Sequence, residues 1–219
     1  MSILANISNP TIEEVCQVIG LIVSNFPGAK YGPLHYRSLE SDKTQALELN
    51  KGDYKSHMQL TNASIAELEW WIENMPTVGR NIVHPNPSIV VQTDASTKGW
   101  GAALGNDATG GRWTSAEATN HINILELQAA FFALKVFCNN THHTHVQLQI
   151  DNTTAVAYIN NMGGSKSPLL NTLAKEIWNW CIERDIWVSA VHIAGKLNTS
   201  ADNKSRNFSD KHEWSLSRA

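Results

Sequence analysis

VVQTDASTKGWGAAL, residues 90–104, decides how this chain is read. A β-branched run beginning at Ser88 ends on Asp94, a bend follows through Ala95–Lys98, and Gly99–Leu104 reads as a second short strand. Gly111–Thr114 reads as a third, so the segment predicts an antiparallel meander. Downstream the pattern changes to alternation. A helix is expected over about Ile124–Phe137, a strand over Val146–Ile150, and a helix over Asn152–Asn161 that stops at Gly163-Gly164. Ser167-Pro168 opens another helix in the order N-cap then first helical residue, Ile186–Ile193 is a strand, and a short helix starts near Thr199. Strands alternating with helices call for a sheet with parallel members covered by helices, in which function collects at the carboxyl ends of the strands.

Upstream of Ser88 the reading is helical. Thr11-Ile-Glu-Glu14 is a capping box, and Ile12, Val15, Cys16, Ile19, Ile22 and Val23 follow at helical spacing until Phe26-Pro-Gly28. A second helix is expected over about Leu34–Leu49, and a third from Asn62 or Ser64 through Trp71, closed by Pro76. The Pro-containing stretch 77–87 marks a boundary. Two domains are therefore expected, a small mainly helical unit at 1–86 and an α/β domain at 87–219.

Four acids stand out because each could reach the rim of one sheet. Asp94 and Asp151 (VQLQID) end apolar strands, and Glu126 (NILELQAA) and Asp202 (NTSADNKSR) lie near the starts of helices. Each has a local alternative. Asp94 can open the bend after it, Glu126 can close a capping box with Asn123, Asp151 can cap the next helix, and Asp202 can favour the positive end of its own. Converging carboxylates repel unless cations sit among them, and an oxygen-rich cluster is what hard divalent metals require.

Bulk properties restrict the alternatives only mildly. A chain of 219 residues with formal charge -3 has material for a sizeable core and neither demands nor excludes a polyanionic partner. Cys16, Cys138 and Cys181 are few and odd in number, which fits buried reduced thiols and an intracellular setting, cytoplasm or nucleus. The first ten residues lack the pattern of a signal peptide, and no apolar run is long enough for a membrane span, so no membrane partner is expected.

The order of the motifs TDAS…GWGA, ILELQA, IDNTTAVAYIN and HIAGKLNTSADNKSR resembles the ribonuclease H domain of retroelement reverse transcriptases, nearest to gypsy-type and DIRS-like elements, over about residues 88–207. IGLIVSNFPG, LHYRSLE and ELEWWIENMP are similar to the segment that joins polymerase to ribonuclease H in those elements. The polymerase's own paired-aspartate motif is absent, so DNA synthesis is not expected of this chain. It reads as part of a larger polyprotein or as a descendant of one, with a polymerase domain as a possible partner.

The resemblance implies a ribonuclease H-like mixed five-stranded sheet and hydrolysis of the RNA strand of an RNA–DNA hybrid. It also implies two Mg²⁺ ions about 4 Å apart, replaceable by Mn²⁺. By the family pattern Asp94 bridges both ions, Asp151 and Asp202 complete the first site, and Glu126 holds the second. Substrate contacts are expected from the backbone at Ala95 and Ser96, from Gln128, and from Asn152, whose alternative is a plain helix-start residue. His192 is either a mobile loop histidine or part of its strand. His142, His143 and His145 read as a solvated connection. Cellular relatives often insert a basic helix where this chain has only GGSKS (163–167), which leaves Lys98, Lys166, Lys196, Lys204 and Arg206 as scattered substitutes. Two other readings compete. One is a non-catalytic scaffold that binds nucleic acid or a partner. The other is a transposase or integrase of the same superfamily, against which Glu126 in the first long helix discriminates.

Overall fold

The computed structural model describes residues 9–74 and 85–208. The chain divides into two compact units. One comprises the described residues of Met1–His84 together with Asn161–Asn171, and the other Pro85–Asn160 with the described residues of Thr172–Ala219.

The first unit is built on three helices, α1 (Ile12–Ser24), α2 (Arg37–Leu49) and α3 (Asn62–Asn74). Thr11 caps α1 through the expected box. Its hydroxyl accepts from the Glu14 amide at 3.3 Å, and Glu14 Oε2 accepts from the Thr11 amide at 2.8 Å. The second helix starts at Arg37 rather than Leu34, because Gly32–Leu34 forms a 3-10 turn first. Gly32 lies so close under the Trp71 ring that a Cβ there would come within 2.8 Å of it. No side chain next to α2 caps it. Glu67 of α3 does so from across the core, accepting from the amides of Ser38 at 2.9 Å and Leu39 at 3.1 Å and from the Ser38 hydroxyl at 2.8 Å. A buried carboxylate thereby satisfies donors that a helix start leaves open. Ile12, Val15, Ile19, Leu39, Met58, Leu68 and Trp71 form the apolar core of this unit. Pro76 lies outside the described residues.

The second unit is a mixed five-stranded sheet flanked by helices, as expected of a ribonuclease H-like domain. Its strands are β1 (Ile89–Ala95), β2 (Gly99–Leu104), β3 (Asp107–Arg112), β4 (Thr144–Ile150) and β5 (Ile186–His192), in the spatial order β3-β2-β1-β4-β5. The first three pair antiparallel, whereas β4 runs parallel to both β1 and β5. The third strand falls earlier than Gly111–Thr114. Leu104 pairs directly with Asp107, so only Gly105-Asn106 turns the hairpin, with Gly105 at φ 58° in the first central position. Gly110 and Gly111 both lie inside the strand.

From residue 122 onward the described residues form four α-helices: α4 (Ile122–Phe137), α5 (Thr153–Asn160), α6 (Pro168–Ile182) and α7 (Thr199–Arg206). Successive residues of a strand face opposite sides. Ala95 packs with Leu125 and Ala129 of α4, whereas its neighbour Asp94 meets Ser205 of α7, so these helices cover opposite faces. Trp178 of α6 donates to Ile159 O of α5 at 2.9 Å and stacks edge-on with Trp187 of β5, centroids 5.1 Å apart. Asn160 closes the outer strand by exchanging two hydrogen bonds with the Ala190 backbone, 2.7 and 2.8 Å. Among the described residues no helix is long and apolar enough to cross a membrane.

Candidate metal centre

Parallel pairing places the first two acids together. Thr93 is in register with Ile150, so the residues that follow, Asp94 and Asp151, leave adjacent strands at the same rim. Glu126, the fifth residue of α4, enters from the helix above, and the Ala95 amide donates to its carboxylate. Carboxylate oxygens of Asp94, Glu126 and Asp151 lie within 4.8 Å of one another, the one grouping among the described residues able to hold a metal ion. Asp94 and Glu126 are each only 3% exposed, and Asp151 is half-buried.

The local alternatives for three of the acids do not hold. Helix α4 is capped by His121, whose Nδ1 accepts from the Asn123 amide at 3.2 Å, so Glu126 is not the closing member of a box with Asn123. The cap of α5 is Asn152, whose Oδ1 accepts from the Ala155 amide at 2.9 Å, and not Asp151. Asp94 lies within β1, paired with Gly101, rather than opening the bend. Asp202 does sit in the first turn of α7. It stands apart from the other three, with its Oδ1 2.6 Å from Arg206 Nε.

The electrostatics are those of crowded negative charge. Burial, above all, pushes the Asp94 carboxyl up to about 6. The Ser205 hydroxyl, donating to its Oδ2 at 2.5 Å, partly offsets this, while Asp151 and Asp202 add to it. Glu126 is pushed further, to about 9, by burial first and then by Asp94 and Asp151. Its Oε2 is buried with no hydrogen-bond partner. An orphaned carboxylate oxygen beside two further carboxylates suits an oxygen-seeking divalent cation, so the residues present fit such an ion.

These shifts set how metal-free stability depends on pH. Both folded-state values lie above the ordinary carboxyl range, so the folded chain binds these protons more tightly than the unfolded chain does. That stabilisation is complete below about pH 4 and is lost as pH rises, through about 6 for Asp94 and about 9 for Glu126. Thermal melts in chelator are therefore expected to give a higher Tm at pH 5 than at pH 9, and Ca²⁺ should restore most of the loss at pH 9. A Tm that rises with pH in chelator would contradict this electrostatic account.

Residues outside the acidic set hold the rim in place. Asn198, fully buried ahead of α7, donates from Nδ2 to Thr93 O at 2.8 Å and ties the incoming loop to β1. The Ser96 hydroxyl donates to Ser205 O at 2.6 Å and accepts from the Lys98 and Gly99 amides at 3.1 and 3.2 Å. Sequence reasoning missed Asn198, Ser205 and the anchoring role of the Ser96 side chain. Only the Asp202–Arg206 spacing carried a local signal, since residues four apart face each other on a helix.

Most of the remaining candidates are already engaged. The Ala95 amide serves Glu126 and the Ser96 amide donates to Gly99 O at 2.9 Å, so contact with a nucleic-acid backbone would require them to give up these bonds. Gln128 donates to Glu117 at 2.8 Å, and Asn152 Nδ2 to Asn123 at 2.9 Å. His192 is the exposed last residue of β5, paired with Ile150. His143 faces Asp185 at 2.9 Å and His145 faces Ser189 at 2.8 Å, and neither belongs to a metal-holding group.

Residues 89–207 match the family described as reverse transcriptase-like, just over half of the chain, and the chain belongs to that family. Among solved structures it is similar to ribonuclease H1 of the halophilic archaeon Halobacterium salinarum, with 18% identity and a TM-score of 0.43 over 53% of this chain and 96% of that one. It is also similar to LC11 ribonuclease H1 in complex with an RNA/DNA hybrid, with 21% identity and a TM-score of 0.44 over 53% and 92% of the two chains. The foamy viral protease-reverse transcriptase in complex with an RNA/DNA hybrid aligns over 98% of this chain and 29% of its own, with 14% identity and a TM-score of 0.33. No curated protein matches the chain.

Proposed function

We propose that this chain is a metal-dependent endonuclease that hydrolyses the RNA strand of RNA–DNA hybrids. In this reading it is part of, or derived from, a retroelement reverse transcriptase of the gypsy or DIRS-like kind. The observation that carries the reading is the convergence of Asp94, Glu126 and Asp151 within 4.8 Å around a buried carboxylate oxygen that has no partner. Family membership supports it.

Asp94, Glu126 and Asp151 would hold the ions, with Asp202 joining them once it leaves Arg206. When bound, two Mg²⁺ or Mn²⁺ supply Lewis acidity at the phosphate and a water acidic enough to act as nucleophile near neutral pH. Ser205 keeps Asp94 oriented through its 2.5 Å hydrogen bond, and the Ala95 amide does the same for Glu126. Burial keeps bulk water from screening these charges. Hybrid selection would rest on 2′-hydroxyl contacts beside the rim, with Asn152 placed next to Asp151 for that role.

Residues 1–86 then act as the connection-like segment and 87–219 as the nuclease, working beside a polymerase domain inside the cell, in cytoplasm or nucleus. Burial pushes the Cys138 and Cys181 thiols up to about 11 and about 12, which keeps them as unreactive thiols, consistent with a reducing setting.

The deciding experiment incubates end-labelled RNA–DNA hybrid, double-stranded RNA and double-stranded DNA with the chain in Mg²⁺, Mn²⁺, Ca²⁺ or chelator. Loss of the hybrid's RNA strand alone, in Mg²⁺ and Mn²⁺ but hardly in Ca²⁺, is expected, and Asp94→Asn should remove it. Equal cutting in chelator would sink the metal-dependent reading. Hybrid binding with no cutting in any metal would favour a non-catalytic scaffold instead.

A further inference from the structure

The geometry points to Arg206 as a positioning residue that holds Asp202 away from the three-carboxylate cluster, so that a divalent cation and the Arg206 guanidinium compete for Asp202. The inference rests on the metal-binding reading above and adds an order of assembly to it: three carboxylates are already together, and the fourth is held in reserve.

Asp202 and Arg206 are one helical turn apart on α7, with Arg206 Nε 2.6 Å from Asp202 Oδ1. Asp202 is absent from the group of acids within 4.8 Å of one another. Ser205, the preceding residue, is fastened at both ends. Its hydroxyl donates to Asp94, and its carbonyl accepts from Ser96 Oγ. The start of the Arg206 side chain is therefore fixed relative to the acids it serves.

The latch is weak by construction. Both partners are about half exposed, 59% for Arg206 and 42% for Asp202, and exposed ion pairs one turn apart contribute little and are screened by salt. A cation with two charges, already held by three carboxylates, can displace one monovalent guanidinium. Until then Arg206 supplies part of the positive charge that the cluster lacks.

The test measures Mn²⁺ binding to the full chain by the loss of the free-ion electron paramagnetic resonance signal, at pH 8 and low salt. Wild type, Arg206→Gln, Asp202→Asn and the double variant are compared. Removal of a weak exposed partner sets the scale, so Arg206→Gln should bind its weaker Mn²⁺ about two- to fivefold more tightly than wild type. The gain should disappear in the Asp202→Asn background and shrink as salt is raised. Wild type that binds no Mn²⁺ would overturn the metal-site reading itself. Wild type that binds, with Arg206→Gln no tighter or with the gain surviving Asp202→Asn, would overturn the latch alone.

Discussion

Glu126→Gln should leave a folded chain whose hydrolysis of hybrid RNA falls by about 10³-fold or more, equivalent to about 4 kcal/mol of lost transition-state stabilisation. The amide matches the carboxyl in shape but cannot carry the charge that a cation needs at this place. Structurally the exchange is mild. Glu126 is pushed to about 9 without metal, so near neutral pH the native side chain is itself mostly uncharged. Its replacement should remove the repulsion with Asp94 and Asp151 and flatten the fall of metal-free Tm between pH 5 and pH 9. Two measurements therefore separate chemistry from folding. Activity must collapse while the melt in chelator at pH 9 stays equal to wild type or rises. A variant that cuts at the wild-type rate would remove Glu126 from the machinery. One that loses activity only because it no longer melts cooperatively would make Glu126 a packing residue.

Gly101→Ala should be among the most damaging single-methyl changes in the sheet domain. Gly101 is the register partner of Asp94 on β2, and it faces α7. A Cβ there would sit 2.1 Å from Ala201 O, 2.6 Å from Ser205 N and 2.9 Å from Lys204 Cβ. Two of these are backbone atoms inside a helix, which cannot swing aside as a side-chain tip can. The whole of α7 would have to lift, and it carries Ser205, Arg206 and Asp202 with it. Overpacking of this kind costs about 1–3 kcal/mol, and the lost Ser205–Asp94 bond adds to that. Denaturant unfolding should show a loss of about 3 kcal/mol, accompanied by weaker Mn²⁺ binding. Gly105→Ala is the control. It has a positive φ of 58° but nothing within 4 Å of the added methyl, so only backbone strain of about 1–2 kcal/mol is expected, with the metal site unchanged. Equal effects of the two substitutions would show that the close approach of α7 is not what demands glycine at position 101.

The two glycine sites also show how far a sequence reading reaches. The third strand, expected at Gly111–Thr114, lies at Asp107–Arg112 and includes Gly110. Gly110 is needed inside β3 because Lys204 O and Trp100 O approach to 2.8 and 2.5 Å of where a Cβ would be. Part of that demand, the approach of Lys204, comes from a helix almost a hundred positions later, which no local window contains. The capping box at Thr11–Glu14 was legible because donor and acceptor are three residues apart. The start of α2 was not, because its cap, Glu67, lies 29 positions from Ser38.

The same division runs through the candidate site. Strand alternation, helical spacing and turn residues are short-range, so the primary structure alone was enough to define a mixed sheet flanked by helices, and the order of the motifs with the family resemblance singled out Asp94, Glu126, Asp151 and Asp202. The primary structure could not tell that Asp202 would be paired with Arg206 rather than drawn in beside the other three, although the four-residue spacing allowed such a pair. Nor could it tell that Ser205 would donate to Asp94 across 111 positions, or Asn198 to Thr93 across 105. Those contacts exist only once α7 docks on the face opposite α4, where glycines let its backbone approach the sheet. Hydrogen bonds need donor and acceptor in contact, and charge interactions weaken with distance and screening, so packing decides which carboxylates are brought together and which are already partnered.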